Sequence, residues 1–338
     1  MSTVLVTGGA GYVGSVCCSQ LLKRGHRVTV VDNLSSGHSD AVPPGAELKC
    51  VDIGDRTAMA GILAERRFDI VFHFAAKALI AESVSNPGIF FDSNVASSIS
   101  LLETLRSAGV KRFVFSSTAA VYGNPSGVPI DEVHSTNPVN AYGESKLMLE
   151  RALHWYASAY GWTVVCFRYF NASGATAVIG EDHRPETHII PLLLQTAEGE
   201  RDFFEIFGED YATPDGTCLR DYVHVLDIAE AHLLALQVPQ QSGVAVYNIG
   251  TGKSYSVRDV LKVVEEVVGK RVRTSKAPRR PGDPAVLCAS PRRLMDELGW
   301  QPRFSDLRGI VESAWHWKQK HPQGYASAAA EVTAGLAR

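Results

Sequence analysis

Short apolar runs rich in β-branched residues alternate with amphipathic segments along the first half of the chain. Such runs predict strands, whereas apolar positions at helical spacing predict helices. Strands are predicted over residues 3–7, 27–32, 46–51, 69–74, 112–117 and 163–168, and helices over 16–22, 94–105 and 142–160. Strands that alternate with helices in this way indicate an α/β fold with a Rossmann-type, doubly wound parallel sheet.

The pattern becomes mixed beyond residue 171, where polar loops separate shorter elements. Helices are predicted over 189–197, 227–236 and 257–268, strands over 203–207 and 247–250, polar loops over 172–188 and 208–221, and a basic turn over 279–283. We therefore expect a first domain over 1–171, to which residues 222–250 or so return. A smaller mixed α/β C-terminal domain should cover 172–325, and the Ala-rich residues 326–338 should form a flexible tail.

Composition and charge exclude several classes of partner. The 338 residues carry a formal net charge of -3, with 45% hydrophobic and 20% charged residues, whereas nucleic-acid binders usually have a basic balance. No apolar run approaches the roughly 18 residues of a membrane helix, and the first strand starts at once, so we expect neither a signal peptide nor a membrane partner. None of the six cysteines forms a Cys-x-x-Cys pair, which favours buried thiols in a cytoplasmic protein over disulfides or a metal site.

A glycine-rich turn, Gly8-x-x-Gly11-x-x-Gly14, lies between the first predicted strand and the first predicted helix. Gly8 would allow the tight turn, Gly11 would let a pyrophosphate approach the backbone, and Gly14 would let the helix pack on the strand. The helix N-terminus would then offer N–H groups to the phosphates. Asp32, 18 positions after Gly14, suits a ribose 2′-hydroxyl and would repel a 2′-phosphate. The unit therefore predicts NAD rather than NADP as the cofactor.

Tyr142 and Lys146 lie four residues apart, so in a helix they project from the same face. A phenol has a reference pKa of about 10, and a neighbouring ammonium favours the phenolate, which makes the tyrosine a usable proton acceptor. This spacing also occurs by chance on helix surfaces. Ser116, Ser117 and Thr118, at the end of a predicted strand, should point hydroxyls into the ligand cleft of the sheet, although such hydroxyls can equally cap the next segment.

With these motifs the chain resembles the extended short-chain dehydrogenase/reductase family from Val4 to about Tyr325. The stretches that carry the resemblance are 31–35, 73–76, 115–118, 168–171, 215–217, 220–225 and 315–325. Within that family, the chain is most similar to the branch of 4-epimerases that interconvert UDP-glucose and UDP-galactose. This closer similarity lies in the Asp-Gly-Thr segment, the Arg-Asp-Tyr segment and the Trp-His-Trp ending. The resemblance implies a UDP-sugar substrate and an NAD that stays tightly bound and is regenerated in each turnover.

The resemblance also implies roles for individual residues. Tyr142 would take the proton of the sugar 4-hydroxyl, Lys146 would lower the tyrosine pKa and bind the nicotinamide ribose, and Thr118 would relay the proton. Hydride would pass from C4 to NAD, and the 4-keto sugar would rotate before hydride returns to its opposite face. The implied cofactor-binding residues are Gly8, Gly11, Tyr12, Val13, Gly14, Asp32, Asn33, Leu34, Ser35, Ser36, Asp52, Ile53, Phe74, Ala75, Ala76, Lys77, Asn94, Ser116, Tyr142, Lys146, Tyr169 and Phe170. The implied substrate-binding residues are Thr118, Tyr142, Asn171, His188, Ile189, Ile206, Phe207, Arg220, Arg280, Asp283 and Leu287.

Two positions depart from the family pattern. Lys77 is displaced by one residue from the place of the family's cofactor lysine, so either it replaces that lysine or the contact is missing. Leu287 occupies the position that gates the sugar 2-substituent, where a large Tyr goes with excluding N-acetyl sugars and a small Cys or Ser with admitting them. Leucine is intermediate, so the sequence leaves N-acetyl tolerance open.

Other activities on the same fold are possible from the sequence. Related 4,6-dehydratases place an Asp-Glu pair after the Thr of this turn and decarboxylases commonly a Glu, whereas here Thr118 is followed by Ala119 and Ala120. A 4-epimerase of UDP-N-acetylglucosamine, a UDP-pentose or a UDP-uronate stays open, as does, more remotely, a non-catalytic NAD-binding protein. Relatives mostly dimerise, which implies a homodimer. Its surface would include Leu101, Leu102, Leu105, Leu147 and Met148, which could equally pack inward.

Overall fold

The computed structural model describes residues 1–280 and 282–326, so residues 327–338 of the predicted tail lie outside the described part. The strands are β1 (Thr3–Thr7), β2 (Arg27–Asp32), β3 (Glu47–Cys50), β4 (Ile70–His73), β5 (Arg112–Thr118), β6 (Thr163–Tyr169), β7 (Asn171–Ser173), β8 (Phe204–Phe207), β9 (Leu219–His224), β10 (Gly243–Ile249), β11 (Ser254–Ser256), β12 (Thr274–Ala277) and β13 (Val286–Leu287). The α-helices are α1 (Tyr12–Lys23), α2 (Arg56–Glu65), α3 (Ile80–Ser85), α4 (Pro87–Phe90), α5 (Ser97–Ser107), α6 (Ala141–Tyr160), α7 (Ile189–Glu198), α8 (Val225–Ala235), α9 (Val257–Val268), α10 (Arg292–Leu298) and α11 (Leu307–Lys320).

A seven-stranded parallel sheet in the order β10-β6-β5-β4-β1-β2-β3 forms the centre of the fold. The strand order reverses at β1, which pairs with β2 on one side and with β4 on the other. Ligands of doubly wound sheets bind at such a switch point, outside the carboxyl ends of the strands. The predicted Rossmann-type sheet is therefore confirmed, and its topology places the glycine turn after β1 next to the ends of β4 and β5.

Apolar side chains fill both faces of this sheet. Val4 and Val6 on β1 pack in the layer that contains α1 and α8, whereas Leu5 faces the opposite layer, which contains α2, α5 and α6. This alternation is what a strand buried on both faces requires. Leu101, Leu102 and Leu105 are fully buried in the second layer and Leu147 is almost so. Of the apolar positions considered for a dimer surface, these four therefore pack inward, while Met148 stays exposed.

The smaller region is built on two further sheets. Strand β9 pairs with β11 antiparallel and with β13 and β7 in parallel, and β8 pairs with β12. Helices α7, α9 and α11 enclose a third apolar cluster beside these strands. None of the helices in the described ranges has the length and apolar character needed to cross a bilayer.

Several sequence predictions of local structure differ from the structure. The predicted polar loop 208–221 overlaps β9, because Asp221 is a buried strand residue whose carboxylate accepts hydrogen bonds from the backbone of Thr251, Gly252 and Ala289. Because these partners are distant in sequence, the local pattern showed only the charge of Asp221, and a charged residue suggested a loop. The predicted helix 94–105 is divided into a π-helical segment, Phe91–Ala96, and α5. Helices α2, α3, α4, α10 and α11 were not predicted from the pattern.

Candidate active site

A cavity of about 1440 Å³ lies at the carboxyl ends of the strands, between the main sheet and the smaller region. Its wall includes the glycine turn, the ends of β2, β4, β5 and β6, the start of α7, and residues around β9 and β13. Typical pockets for one small ligand measure about 300–1,000 Å³. The cavity is therefore large enough for a dinucleotide and a second ligand together.

The glycine turn fits a pyrophosphate. Gly8 has a φ of 74°, and a Cβ there would lie 2.4 Å from the backbone nitrogen of Ala75. A Cβ on Gly14 would lie 2.2 Å from the Gly8 carbonyl oxygen. A Cβ on Gly11 would meet only the Gly8 oxygen, at 3.4 Å, so a hydrogen at this position keeps the cavity wall open. Gly11 also caps α1 without a side chain, which leaves the first N–H groups of the helix to phosphate oxygens.

Asp32 closes β2 at the edge of the cavity. One carboxylate oxygen accepts from the Ala10 N–H at 3.0 Å and the other from the Leu34 N–H at 2.9 Å, and burial raises the pKa of the group. These two bonds fix the orientation of the carboxylate while it remains on the cavity wall. Carboxylate oxygens accept several bonds each, so a sugar hydroxyl can still donate to Asp32.

Tyr142 and Lys146 project into the cavity from the first turns of α6. Asn140 caps this helix by accepting from the Gly143 N–H at 2.8 Å. Lys146 is 3% exposed, and its Nζ donates to the Ser116 carbonyl at 2.9 Å and lies 6.0 Å from the Tyr142 ring centroid. The hydroxyl of Thr118, at the end of β5, hydrogen-bonds to the Tyr142 phenol. The structure thus brings the three residues with predicted catalytic roles together.

The electrostatics of this group differ from the simple expectation. Burial raises the pKa of Tyr142, and the Thr118 hydrogen bond opposes that rise. Burial lowers the pKa of Lys146 to about 7, which the negative charge of Glu150 partly opposes. The Lys146 Nζ donates to the Ser116 carbonyl rather than to the Tyr142 hydroxyl. Burial is therefore the main influence on the pKa of Tyr142.

The two other hydroxyl-bearing residues of this turn have different surroundings. Ser117 is 2% exposed, and its hydroxyl donates to Glu150 rather than remaining available in the cleft. Ser116 contributes its carbonyl to Lys146, and its hydroxyl bonds to Tyr169. Only Thr118 of the three hydroxyls contacts Tyr142.

The opposite wall carries the predicted nucleotide-sugar contacts. Arg220 forms an ion pair with Asp283, and the Arg280 guanidinium lies 4.0 Å from the Phe207 ring centroid. Asn171 donates to the Asp221 carbonyl at 2.9 Å. Leu287 on β13 is half-buried at the cavity wall. These side chains come from four separate parts of the sequence and meet at one face of the cavity.

Most of the predicted site residues line the cavity. On the cofactor side these are Gly8, Gly11, Tyr12, Val13, Gly14, Asp32, Asn33, Ser35, Ser36, Asp52, Ile53, Phe74, Ala75, Ala76, Lys77, Ser116, Tyr142, Lys146, Tyr169 and Phe170. On the substrate side they are Thr118, Asn171, His188, Ile189, Phe207, Arg220, Arg280, Asp283 and Leu287. Both sets therefore share one continuous space.

Leu34, Asn94 and Ile206 lie outside the cavity lining. Leu34 has a φ of 57° and contributes its N–H to Asp32. Asn94 is buried, bonds to both backbone groups of Lys77 at 2.8 and 3.0 Å, and donates to Ser145. Ile206 packs in the apolar cluster of the smaller region. Asn94 thus fixes the backbone of Lys77, whose exposed side chain is at the cavity wall.

A charged cluster in the predicted loop 172–188 was missed by the sequence reasoning. Glu181, His183 and Glu186 line the cavity together with His188. The histidines hold the pKa of Glu181 well below its usual range, and the two glutamates raise the pKa of His188 to about 9. The available signal was the dense alternation of Glu and His in Glu181-x-His183-x-x-Glu186-x-His188.

Comparison with known proteins places the chain in a family. The model of the NAD dependent epimerase/dehydratase family matches residues 4–250. A UDP-glucose 4-epimerase of Corynebacterium glutamicum is 48% identical over 312 residues, which cover 92% of this chain and 94% of that protein.

Two solved structures are similar over nearly the whole chain. A crystal structure of a UDP-glucose 4-epimerase has a TM-score of 0.93 at 44% identity and covers 96% of this chain and 99% of its own. A UDP-glucose 4-epimerase from Bifidobacterium longum, in complex with NAD+ and UDP, has a TM-score of 0.92 at 36% identity, with 96% and 100% covered. The chain therefore belongs to the NAD dependent epimerase/dehydratase family and, within it, to the UDP-glucose 4-epimerases.

Proposed function

We propose that this protein interconverts UDP-glucose and UDP-galactose by oxidation at C4, rotation of the 4-keto sugar and reduction on its other face. Support comes from the shared family and from a cavity large enough for NAD and a UDP-sugar side by side. One observation carries the choice of reaction. Thr118 contacts the Tyr142 phenol, and the residues that follow it, Ala119 and Ala120, have no acid or base to offer. This turn can move the 4-hydroxyl proton but cannot eliminate water from the sugar.

NAD would be held by the glycine turn at its pyrophosphate and by Asp32 at its adenine-side ribose. Asp52 and Ile53, at the end of β3, would lie against the adenine. When bound, NAD supplies the acceptor for the hydride from C4 and returns that hydride to the keto sugar. Lys146 would bind the nicotinamide ribose, for which its position beside the Ser116 carbonyl is suitable.

Tyr142 would act as the base for the 4-hydroxyl and, in the second half of the reaction, as the acid. Burial raises its pKa and so disfavours the phenolate that must accept the proton, whereas the Thr118 hydrogen bond lowers the cost of forming that phenolate. Lys146, with a pKa of about 7, changes charge near neutrality and so can assist in both directions. A buried pair suits this chemistry because excluded water cannot compete for the keto sugar.

The UDP part would be held at the opposite wall. Arg220 and Arg280 would bind the diphosphate, since a planar guanidinium can bond two oxygens at once. Asp283 would accept from the uridine ribose and at the same time hold Arg220 in place. His188 and Asn171 would contact the diphosphate or the sugar, while Ile189 and Phe207 would enclose the uracil.

A direct assay tests the reaction. The purified full chain is incubated with UDP-galactose, and UDP-glucose is measured after separation of the nucleotide sugars. Formation of UDP-glucose without added NAD supports the proposal, including a resident cofactor. Formation of a 4-keto-6-deoxy sugar, or no conversion in enzyme with measured NAD content, would contradict it. UDP-N-acetylglucosamine is assayed in parallel, because Leu287 leaves the size limit at the sugar 2-position open.

We further propose a cytoplasmic homodimer. All six cysteines are free thiols, and Cys50 is the exposed one, which suits a reducing compartment. On α6, the side chains of Met148, Trp155 and Tyr160 are exposed, Trp155 at 76%. A large exposed aromatic on a helix often marks an interface. Light scattering of the full chain should give twice the monomer mass, and Trp155→Glu should shift it toward the monomer. A monomeric parent protein would contradict the proposal.

A further inference from the structure

The segment between β7 and α7 places two carboxylates and two imidazoles at the cavity wall. One potential ligand atom from each of Glu181, His183 and His188 lies within 4.8 Å of the others. The His188 Nδ1 is 3.6 Å from a Glu181 oxygen and 2.8 Å from a Glu186 oxygen, and the His183 Nδ1 contacts the same Glu181 oxygen. Ligands about 2.0–2.1 Å from a tetrahedral zinc ion lie roughly 3.4 Å apart. The 3.6 Å distance matches this spacing, whereas the two hydrogen-bonded donor pairs would have to open to admit the ion.

The second oxygen of Glu181 is an independent indication of a missing ligand. The Glu181 side chain is 9% exposed, and its Oε2 accepts no hydrogen bond from any residue in 1–280 or 282–326. The hydroxyl of Tyr12, whose pKa is raised by burial and by the charges of Glu181 and Glu186, donates to the Gly174 carbonyl instead. A buried carboxylate oxygen without a partner is unfavourable. A cation bound by both oxygens of the Glu181 carboxylate would satisfy it, because the two imidazoles contact only Oε1.

We propose that Glu181, His183 and His188 bind a divalent transition-metal cation of the zinc class, with Glu186 as a fourth oxygen ligand. Mixed imidazole and carboxylate donors suit zinc and its neighbours, whereas magnesium and calcium prefer oxygen ligands alone. Two carboxylates and two neutral imidazoles together carry two negative charges, which one divalent cation balances. His188 is also a proposed substrate contact, so the cation would lie on the UDP-sugar side of the same cavity, although the proposed epimerisation itself needs no metal.

Protons compete with the cation for the same atoms. An imidazole binds a metal ion only in its neutral form, so a proton on His183 or His188 must leave before the cation binds. The other charged groups nearby are already paired: Asp182 accepts from the Tyr325 N–H and pairs with Arg184, and His38 bonds to the Asp182 carbonyl. Metal binding should therefore release up to two protons, and its affinity should rise with pH.

The test measures Zn²⁺ and Co²⁺ binding to tag-free, chelator-treated protein by calorimetry and, for Co²⁺, by visible absorption. A Cys50→Ser background removes the exposed thiol as a competing ligand. We expect one cation per chain and an affinity at least about tenfold higher at pH 8.5 than at pH 7. Glu181→Gln and His183→Ala should each weaken binding by about 100-fold.

His134→Ala is the matched control, because His134 forms a half-buried pair with Asp131 at 2.7 Å outside the candidate cluster. It should bind the cation within about twofold of the parent. Absence of binding in the parent, or equal binding in Glu181→Gln, would overturn the proposal. Thermal melts show whether each variant is folded. Conversion of UDP-galactose by the chelator-treated parent is measured separately, so failure of the metal site leaves the proposed epimerase activity intact.

Discussion

The carboxylate of Glu150 accepts two hydrogen bonds from the Arg168 guanidinium, at 2.7 and 3.0 Å, with the two side chains only 4% and 7% exposed. The pair joins α6 to β6 one helical turn beyond Lys146. Tyr122, which also bonds to Arg168, and Ser117, which donates to Glu150, complete the shell around it. Both members of the ion pair therefore have further hydrogen-bond partners in the protein, next to the predicted catalytic residues.

Glu150→Gln should strongly destabilise the fold. The substitution keeps the size of the side chain but leaves the Arg168 charge buried and uncompensated, which costs about 3–5 kcal/mol. The free energy of unfolding is measured by denaturant titration. Glu312→Gln is the control, because Glu312 is 46% exposed and 3.8 Å from Arg308, and an exposed pair of this kind contributes about 0.5 kcal/mol or less. Equal losses in both variants would contradict a special role for the buried pair.

Tyr142→Phe should lose most turnover while it retains NAD and UDP. Removal of a general base typically costs about 10²–10⁴ in rate, and the phenyl ring preserves the packing against Phe90. Conversion of UDP-galactose and the NAD content of the purified variant are both measured. Tyr156→Phe, on the same helix, removes a hydroxyl that bonds to Glu103 outside the cavity and should retain turnover. Full activity in Tyr142→Phe would exclude this tyrosine as the base.

Gly14→Ala should reduce the amount of bound NAD. The new methyl group would lie 2.2 Å from the Gly8 carbonyl, so the glycine turn would have to move away from its phosphate-binding position. The matched control is Gly61→Ala in α2, where a Cβ would meet nothing within 4 Å. That control should keep its NAD and gain about 0.5–1 kcal/mol from higher helix propensity. NAD released by denaturation is quantified per chain. Unchanged NAD in Gly14→Ala would contradict the proposed cradle.

Stability should fall in mild acid through His224. Burial lowers the pKa of His224 from 6.5 to about 4, and its Nδ1 accepts from the Leu226 N–H to cap α8. Above pH 6.5 the imidazole is neutral in both states, and as the pH falls below 6.5 only the unfolded chain gains the proton. The contribution of His224 to the free energy of unfolding should therefore fall as the pH drops from 6.5 to 5, with a slope that approaches about 1.4 kcal/mol per pH unit.

His224→Asn isolates this contribution, because asparagine also caps helices but does not titrate. Denaturant titrations at pH 6.5 and 5 should show a difference smaller by about 2 kcal/mol in the variant than in the parent. His73 and His232, which burial also shifts downward, remain in both proteins and cancel in the comparison. Identical pH dependence in parent and variant would refute the role of His224.

The parts of the site that depend on local spacing could be predicted from the sequence. Gly8, Gly11 and Gly14 define their own turn, and Tyr142 and Lys146 share a helix face whatever surrounds them. The electrostatics of that pair could not be predicted in the same way. The low pKa of Lys146 results from burial by distant elements, and the direction of its Nζ depends on the Ser116 carbonyl across the sheet.

The smaller region shows a further limit of the sequence pattern. The sequence pattern places Asp221 in a loop because charges are usually exposed, yet three backbone N–H groups from two distant segments hydrogen-bond to its carboxylate inside β9. Ile206 looks like a pocket residue beside Phe207, but successive strand residues face opposite sides, and Ile206 faces the core. In both cases the partner that decides the environment is far away along the chain.

One edge strand of the seven-stranded sheet comes from a late part of the chain. Strand β10 pairs along β6 over its full length, from Gly243↔Thr163 to Ile249↔Tyr169, after the chain has passed through β7, β8 and β9. During synthesis on the ribosome, the open edge of β6 therefore stays unpaired until some eighty further residues have been made and β10 can pair with it. Unpaired strand edges favour association with other chains. A nascent or truncated form that ends near residue 171 would expose this edge and depend on chaperones, whereas the sheet can close once β10 has emerged.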